Sequence, residues 1–134
     1  MKSEETIVID PVGMNIVNRI APGTKSTGTL ECSGGLLVQG HFEGTLVVTD
    51  GPLVLMQGGS ISGDFDCKQD AYLFGTIAPK PGGEQSQLTV GGAAFMADTL
   101  EAKADITAGV FKTYEGAQVD GRIRTGRKEP PKLA

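Results

Sequence analysis

The chain has 134 residues, of which 20 are glycine, and a formal net charge of -4. Each glycine would cost a helix about 1 kcal/mol, so the composition disfavours helical repeats, and the small net charge leaves no general electrostatic footprint for nucleic acid. No run approaches the roughly 18 apolar residues of a membrane span, and the first residues lack the cationic start and apolar run of a secretory signal. We therefore expect a cytoplasmic protein with reduced cysteines.

Residues 1–19 are predicted to form a flexible N-terminal tail. They contain one short apolar strip, Ile7-Val8-Ile9, which is followed by Asp10-Pro11. This strip could dock on the folded domain, touch a membrane surface or remain disordered, as chain ends often do. These three alternatives stay open at the level of sequence.

A repeat begins near residue 20. The tripeptide Leu30-Glu31-Cys32 has related copies in Phe65-Asp66-Cys67 and Leu100-Glu101-Ala102, each 35 residues beyond the one before. A fixed period over most of a chain indicates one supersecondary unit stacked on copies of itself. The signatures of tetratricopeptide and ankyrin repeats, which have similar lengths, are absent. The repeating units are therefore predicted to consist of strands.

Each unit of the repeat divides into two shorter ones. An apolar residue, a small polar or acidic one, a glycine, any residue and a second apolar residue occur at 42–46, 61–65 and 119–123, and degraded copies place Pro79 and Ala97 at the glycine position. A half-repeat of about 18 residues suits one turn of a three-faced parallel β-helix, in which each face takes about six residues. We predict an all-β solenoid of about six turns over residues 20–125.

Side chains are predicted to alternate between the inside and the outside of this coil. The inward set begins with Leu36, Val38, Gly40 and Phe42, and inward apolar residues should stack on their equivalents in the next turn. Residues 93–110 are rich in alanine and would accept a helix by propensity. The repeat predicts strands there instead, because equivalent positions in a solenoid take equivalent conformations.

Residues 126–134 are predicted to form a second flexible tail, which is basic and contains Pro130-Pro131. Its cationic side chains could meet anionic lipid or an acidic partner. They could equally do no more than keep the protein soluble.

Three segments together resemble the bactofilin family. Residues 20–30 and 36–46 are similar to the opening turns of that family, and residues 114–123 are similar to its last turn. The resemblance covers residues 20–125. It implies a right-handed parallel β-helix that polymerises end to end into cytoskeletal filaments, without nucleotide or other cofactor.

The resemblance also implies a role in cell shape or in positioning cell-envelope and cell-wall-synthesis proteins. It places the filament in the cytoplasm, with the inner face of the membrane as a further location. The sequence departs from the family pattern at Ser26, where an apolar inward residue is usual, and at Pro79. The first residues also contain no clear version of the short membrane-targeting peptide that the family usually carries.

The two ends of the solenoid are the candidate self-assembly interface. A solenoid without capping domains ends in an unpaired turn, whose backbone groups and apolar side chains invite another copy. At the first end, the expected contact residues are Ile20, Leu30 and Leu36. At the last end, they are Val110, Phe111, Val119 and Ile123.

An enzymatic alternative is a left-handed β-helix acyltransferase with His41 as general base. Apolar residues recur every six positions from Leu30 to Val54, as in hexapeptide repeats. The residues that follow them, such as Glu31 and Glu43, are larger than the small residues that the acyltransferase pattern prefers. His41 is also predicted to point outward beside inward Phe42, which disfavours catalysis.

Binding alternatives have less support. A polysaccharide-binding β-helix would need aromatic rings aligned outward on one face, and the chain has no Trp, two Tyr and five Phe. One histidine and two cysteines 35 residues apart do not have the spacing of zinc ligands. Glu31, Asp66 and Glu101 are predicted to stack along one line, which could bind a cation or form a solvated ladder.

Overall fold

The computed structural model describes residues 12–13, 15–80 and 82–125. Most of the predicted N-terminal tail and all of residues 126–134 lie outside the described residues. The described part contains no helix, and its strands are β1 (Ile16–Ile20), β2 (Lys25–Ser33), β3 (Gly35–Val38), β4 (His41–Thr49), β5 (Leu53–Leu55), β6 (Ser60–Cys67), β7 (Ala71–Leu73), β8 (Thr76–Ala78), β9 (Ser86–Met96), β10 (Glu101–Ala102), β11 (Ala104–Thr113), β12 (Gln118–Val119) and β13 (Ile123–Thr125).

The strands wind into a coil with three faces, and the pairings between described strands are parallel. Face A consists of β1, β3, β5, β7 and the second halves of β9 and β11. Face B consists of β8, β10, β12 and the first halves of β2, β4 and β6. Face C consists of β13, the second halves of β2, β4 and β6, and the first halves of β9 and β11.

Each face stacks six strand segments, so the predicted all-β solenoid of about six turns is confirmed. At about 4.8 Å between layers, the stack is roughly 29 Å long. Strand β1 starts at Ile16 and pairs with β3, so the solenoid includes residues that the sequence assigned to the N-terminal tail. The alanine-rich residues 93–110 lie in β9, β10 and β11 and in the connections between them, without a helix, as the repeat predicts.

The core is a set of columns of inward side chains. The longest apolar column runs along face C through Leu30, Leu46, Phe65, Leu88, Ile106 and Ile123. Along β4, buried residues alternate with partly exposed ones, which confirms the predicted alternation for Phe42, Leu46 and Val48. Because each column fills the space between three walls, burial of apolar surface holds the layers together.

The corner between faces B and C depends on stacked glycines. Gly28, Gly44 and Gly63 are in register and all have positive φ. A Cβ added to Gly44 would lie 1.9 Å from the Gly28 carbonyl oxygen, and one added to Gly63 would lie 1.9 Å from the Gly44 carbonyl oxygen. Only glycine allows both this conformation and this close approach of successive layers.

The prediction that Leu100-Glu101-Ala102 is a third copy of the repeat is wrong. Leu30 and Phe65 share a column on face C, but Ala102 pairs with Ile77 and Val119 on face B. The Leu100-Glu101-Ala102 segment is therefore not equivalent to the other two. The reason is the long turn between β8 and β9, which adds residues to one layer and shifts every later position relative to the period.

Two further predictions are wrong because of the same long turn between β8 and β9. A Cβ on Gly121 would meet the carbonyl oxygen of Ala104 at 1.9 Å, so Ala104 rather than Ala97 occupies the glycine position of that layer. Glu31 and Asp66 lie on face C on either side of Val47, whereas Glu101 lies on face B. The predicted line of three acidic residues is therefore not formed.

Candidate assembly surfaces

The first turn places its inward side chains at one end of the solenoid. Ile20 and Cys32 are buried there, whereas Asn18, Ser26 and Leu30 are partly exposed. The Asn18 side-chain amide donates to two backbone carbonyl groups, at 3.3 and 3.4 Å. This end therefore carries the polar side chains of Asn18 and Ser26, and the Asn18 amide is held by hydrogen bonds within the chain.

The last turn leaves apolar side chains open at the other end. Phe111 and Val119 are partly buried against the core, and Ile123 keeps 48% of its surface exposed. Ile106, one layer further in on the same column, keeps 1%. In the described chain, β12 and β13 each have a strand partner on one side only, so their other edges present backbone N–H and C=O groups along the axis.

Two of the predicted contact residues do not point into an end surface of the solenoid. Leu36 is in the second layer, between Asn18 and Leu53, and is 1% exposed. Val110 is in the last turn but is 50% exposed and neighbours inward Phe111, so its side chain points outward. The other five lie in the end layers, with Ile20 and Leu30 at one end and Phe111, Val119 and Ile123 at the other. Their role as an assembly interface stays a prediction.

The end layers also contain inward residues that the sequence analysis missed. Thr113 pairs with buried Met96, and Thr125 pairs with buried Ala108, so both occupy inward positions of the last turn. Asn18 pairs with buried Leu36 and so has an inward position in the first turn. No apolar signal marks these residues, and only the register of the strands identifies them.

The two cysteines lie on one line of face C. Cys32 and Cys67 are both in register with Val48, so two layer spacings separate them. That separation is about 9.6 Å, beyond the roughly 7 Å limit on Cα separation for a disulfide. Burial raises the pKa of both thiols. We continue to expect slow reaction with thiol reagents and no bridge between them.

His41 lies on the outer surface of face B, as predicted. Its Nδ1 contacts the Ser60 hydroxyl, and its Nε2 lies 4.0 Å from a Glu43 carboxylate oxygen. A serine, a histidine and a carboxylate are the groups of a nucleophilic triad, but such chemistry also needs free backbone donors near the nucleophile. The Ser60 and His41 amides already donate to carbonyl groups of the preceding layer, so the arrangement offers no oxyanion site at these residues.

Outward aromatic rings do align on face A. Tyr72 and Phe95 stack with ring centroids 4.6 Å apart and an interplanar angle of 2°, and Lys112 Nζ lies 5.4 Å from the Phe95 centroid. These contacts occupy the faces of the Phe95 ring and one face of Tyr72. Sugar rings bind to free aromatic faces, so this pair does not favour a polysaccharide site.

Metal and membrane features were sought in the described residues. Within residues 12–13, 15–80 and 82–125, no three His, Cys, Asp or Glu side chains are grouped as metal ligands. An open groove over the glycine corner contains Glu43, Asp64 and Lys80, and Lys80 pairs with Asp64 at 3.1 Å. The described chain has no helix that could cross a bilayer.

The fold defines the protein as a parallel β-solenoid whose end strands have unpaired edges in the described chain. Comparison with known families agrees with this architecture. Residues 18–124 match the model of the bactofilin family, described as polymer-forming cytoskeletal, and the chain belongs to that family. The resemblance noted in the sequence is thereby confirmed. No curated protein and no solved structure matches the chain.

Proposed function

We propose that this bactofilin is a cytoskeletal scaffold that polymerises end to end into filaments without nucleotide. The observation that supports the proposal most is the open last layer, where Phe111, Val119 and Ile123 present apolar surface beside unpaired strand edges. A second copy stacked on this layer would extend the core columns across the junction. Burial of the exposed apolar area would contribute about 25 cal/mol per Å².

The two ends of the solenoid differ in how much apolar surface they could bury on assembly. The last layer exposes more apolar surface than the first, where Ile20 is 5% exposed and polar Ser26 replaces an apolar inward residue. Contact at the last layer therefore has more to gain from excluding water.

The decisive experiment places a charge in the last layer. Phe111→Arg and Ile123→Arg should each block assembly, because an unpaired charge buried between copies costs roughly 3 kcal/mol or more, which weakens the contact about a hundredfold. Sedimentation velocity measures the loss of large species, and the strand signal in circular dichroism reports the fold. Thr89→Arg, on the outer surface of face C, is the matched control and should still assemble.

The same assay tests the outward placement of Val110. Val110→Arg should assemble like the control, because its side chain does not lie between stacked layers. Filaments that persist in Phe111→Arg and Ile123→Arg would contradict assembly through the last layer.

The cellular part of the proposal extends the family role to this chain. The filament would lie in the cytoplasm or along the inner face of the membrane, where it would support cell shape or position cell-envelope and cell-wall-synthesis proteins. A fluorescent fusion of the unaltered chain should form extended structures in cells. The Phe111→Arg fusion should be diffuse at equal abundance.

The family match and the geometry favour this function over the two alternatives. The acyltransferase alternative relies on His41, which lies on the outer surface of face B with its backbone donors already used. The polysaccharide alternative relies on outward rings, which here pack against each other. Bactofilin is a structural family, and the scaffold is the function that the described residues support best.

A further inference from the structure

The outer surface of face A has an apolar centre, which lies between Arg19 in the first turn and Lys112 in the last. Four residues lie in register along its centre, and we call them the outer stripe: Leu37, Val54, Tyr72 and Phe95. The corresponding line on face B is polar and consists of His41, Ser60, Thr76 and Glu101. An apolar line of this length on one face indicates a surface that something covers.

The stripe is covered at Val54, whereas Leu37, Tyr72 and Phe95 are partly exposed. Val54 is fully buried, yet it alternates with Leu53 and Leu55, which point into the core. The core cluster includes Leu53 and Leu55 but not Val54. The contacts among the described strands join neighbours in the wall of the coil, and none of these strands packs over face A. A side chain at the centre of an uncovered sheet face would keep some exposure to water.

The start of the described chain lies beside the stripe. Gly13 and Asn15 line one cleft with Pro52 and Tyr72, and Asn15 Nδ2 donates to the Asp50 carbonyl at 2.7 Å. Gly13 and Asn15, near the start of the described chain, therefore lie at the edge of face A. The segment that precedes residue 12 contains the apolar strip Ile7-Val8-Ile9.

The lengths are compatible with a contact between the strip and the stripe. An extended chain spans up to about 3.3 Å per residue, so the residues between Gly13 and Ile7 reach about 20 Å. The outer stripe crosses four layers, which is about 14 Å at 4.8 Å per layer. Counted from Gly13, the apolar strip Ile7-Val8-Ile9 is therefore within reach of every residue of the outer stripe.

We propose that Ile7-Val8-Ile9 packs on the outer stripe, so that the N-terminal segment of the chain covers face A. The apolar strip and the apolar stripe then exclude water from each other. This contact involves an outer face rather than the end layers and does not depend on filament formation. Without it, face A would expose an apolar surface through which copies could associate side by side.

The test measures the accessibility of position 54 in the full chain. In Val54→Cys, the new thiol should react slowly with a soluble maleimide, and Ile7→Asp with Ile9→Asp should speed its labelling at least about tenfold by opening the contact. Peptide mass spectrometry assigns the label, with buried Cys32 and Cys67 as internal references. Thr45→Cys, exposed on face C, should label rapidly in both backgrounds.

Two results would overturn the proposal. One is labelling of Val54→Cys at the rate of Thr45→Cys in the chain with an unaltered strip. The other is labelling that stays slow after Ile7→Asp and Ile9→Asp, which would assign the cover to another occupant such as a second copy. A second measurement uses Val8→Cys with Tyr72→Cys, which should form an intramolecular disulfide on mild oxidation. Failure of that disulfide to form within one chain would also contradict the contact.

Discussion

At the scale of single residues, the stacked glycines at the corner between faces B and C allow successive layers to approach each other closely. The Gly44 Cα approaches the Gly28 carbonyl so closely that a methyl group would overlap it, at 1.9 Å. Gly28 has the same conformation, with φ of 111°, but nothing lies within 4 Å of its missing Cβ because no described layer precedes it. A substitution at Gly28 therefore measures the cost of backbone strain alone, whereas one at Gly44 adds the cost of steric overlap.

We expect Gly44→Ala to destabilise the fold far more than Gly28→Ala. Both substitutions place alanine at positive φ, which costs roughly 1 to 3 kcal/mol. Only Gly44→Ala also forces two layers apart, and its total cost should exceed the upper figure. Urea unfolding followed by circular dichroism measures both. Equal losses of stability would mean that the layers can separate at this corner without cost.

At the scale of elements, aspartates on outer surfaces tie one layer to the next. Asp105 Oδ1 accepts a hydrogen bond from the Arg122 amide at 2.9 Å, and its other oxygen accepts one from Gln87 Nε2 at 3.0 Å. These bonds, that from Arg122 first, lower the pKa of the Asp105 carboxyl below its ordinary value of 3.8. Arg122 directly precedes β13, so Asp105 helps to hold the last strand of the layer that we propose as the interface.

Acid should therefore loosen the last strand. A lowered folded pKa means that the charged carboxylate favours the folded state, so this stabilisation is present above pH 3.8 and is lost as the pH falls through the folded pKa. Amide hydrogen exchange at Arg122 to Thr125 should be faster in Asp105→Ala than in the unaltered chain at neutral pH. Asp105→Asn keeps an acceptor oxygen for the Arg122 amide, although its NH2 group cannot accept from Gln87, and is the control. Equal protection of these amides from exchange in all three proteins would mean that Asp105 does not hold the last strand.

At the scale of the whole molecule, the strand edges at the two ends of the coil remain free in the described chain. Most proteins cover or disrupt such edges, because they promote association. This chain belongs to a polymer-forming family, and we propose that the same edges serve its assembly. The proposed junction would need only backbone groups and apolar side chains, and these require no bound nucleotide or metal ion.

We expect the purified protein to form large species in the presence of a chelator and without nucleotide. Sedimentation velocity at micromolar concentrations, with negative-stain microscopy of the same samples, measures both size and shape. Assembly should persist at high salt, because apolar contacts are not screened as surface charges are. A monomer at all concentrations tested would contradict the proposed scaffold.

The period, the glycine content and the alternation of side chains were sufficient to predict the solenoid, its number of turns and the inward positions along β3 and β4. They also placed Cys32 and Cys67 on one line of one face, and the register confirms this. These features are local, because one turn of a solenoid has nearly the same chemistry as the next. The right-handed sense of the coil came with the family resemblance and stays a prediction.

Only the tertiary structure decided the positions that follow the irregular turn and the side on which apolar residues lie. The long connection before β9 adds residues to one layer, so Leu100 matches Phe65 by period but not in space. In Leu53-Val54-Leu55, all three residues are apolar, and the run itself indicates a strand buried on both sides. Alternation alone could not show that Val54 lies outside the core, because that depends on which strands pair and on what covers the outer face.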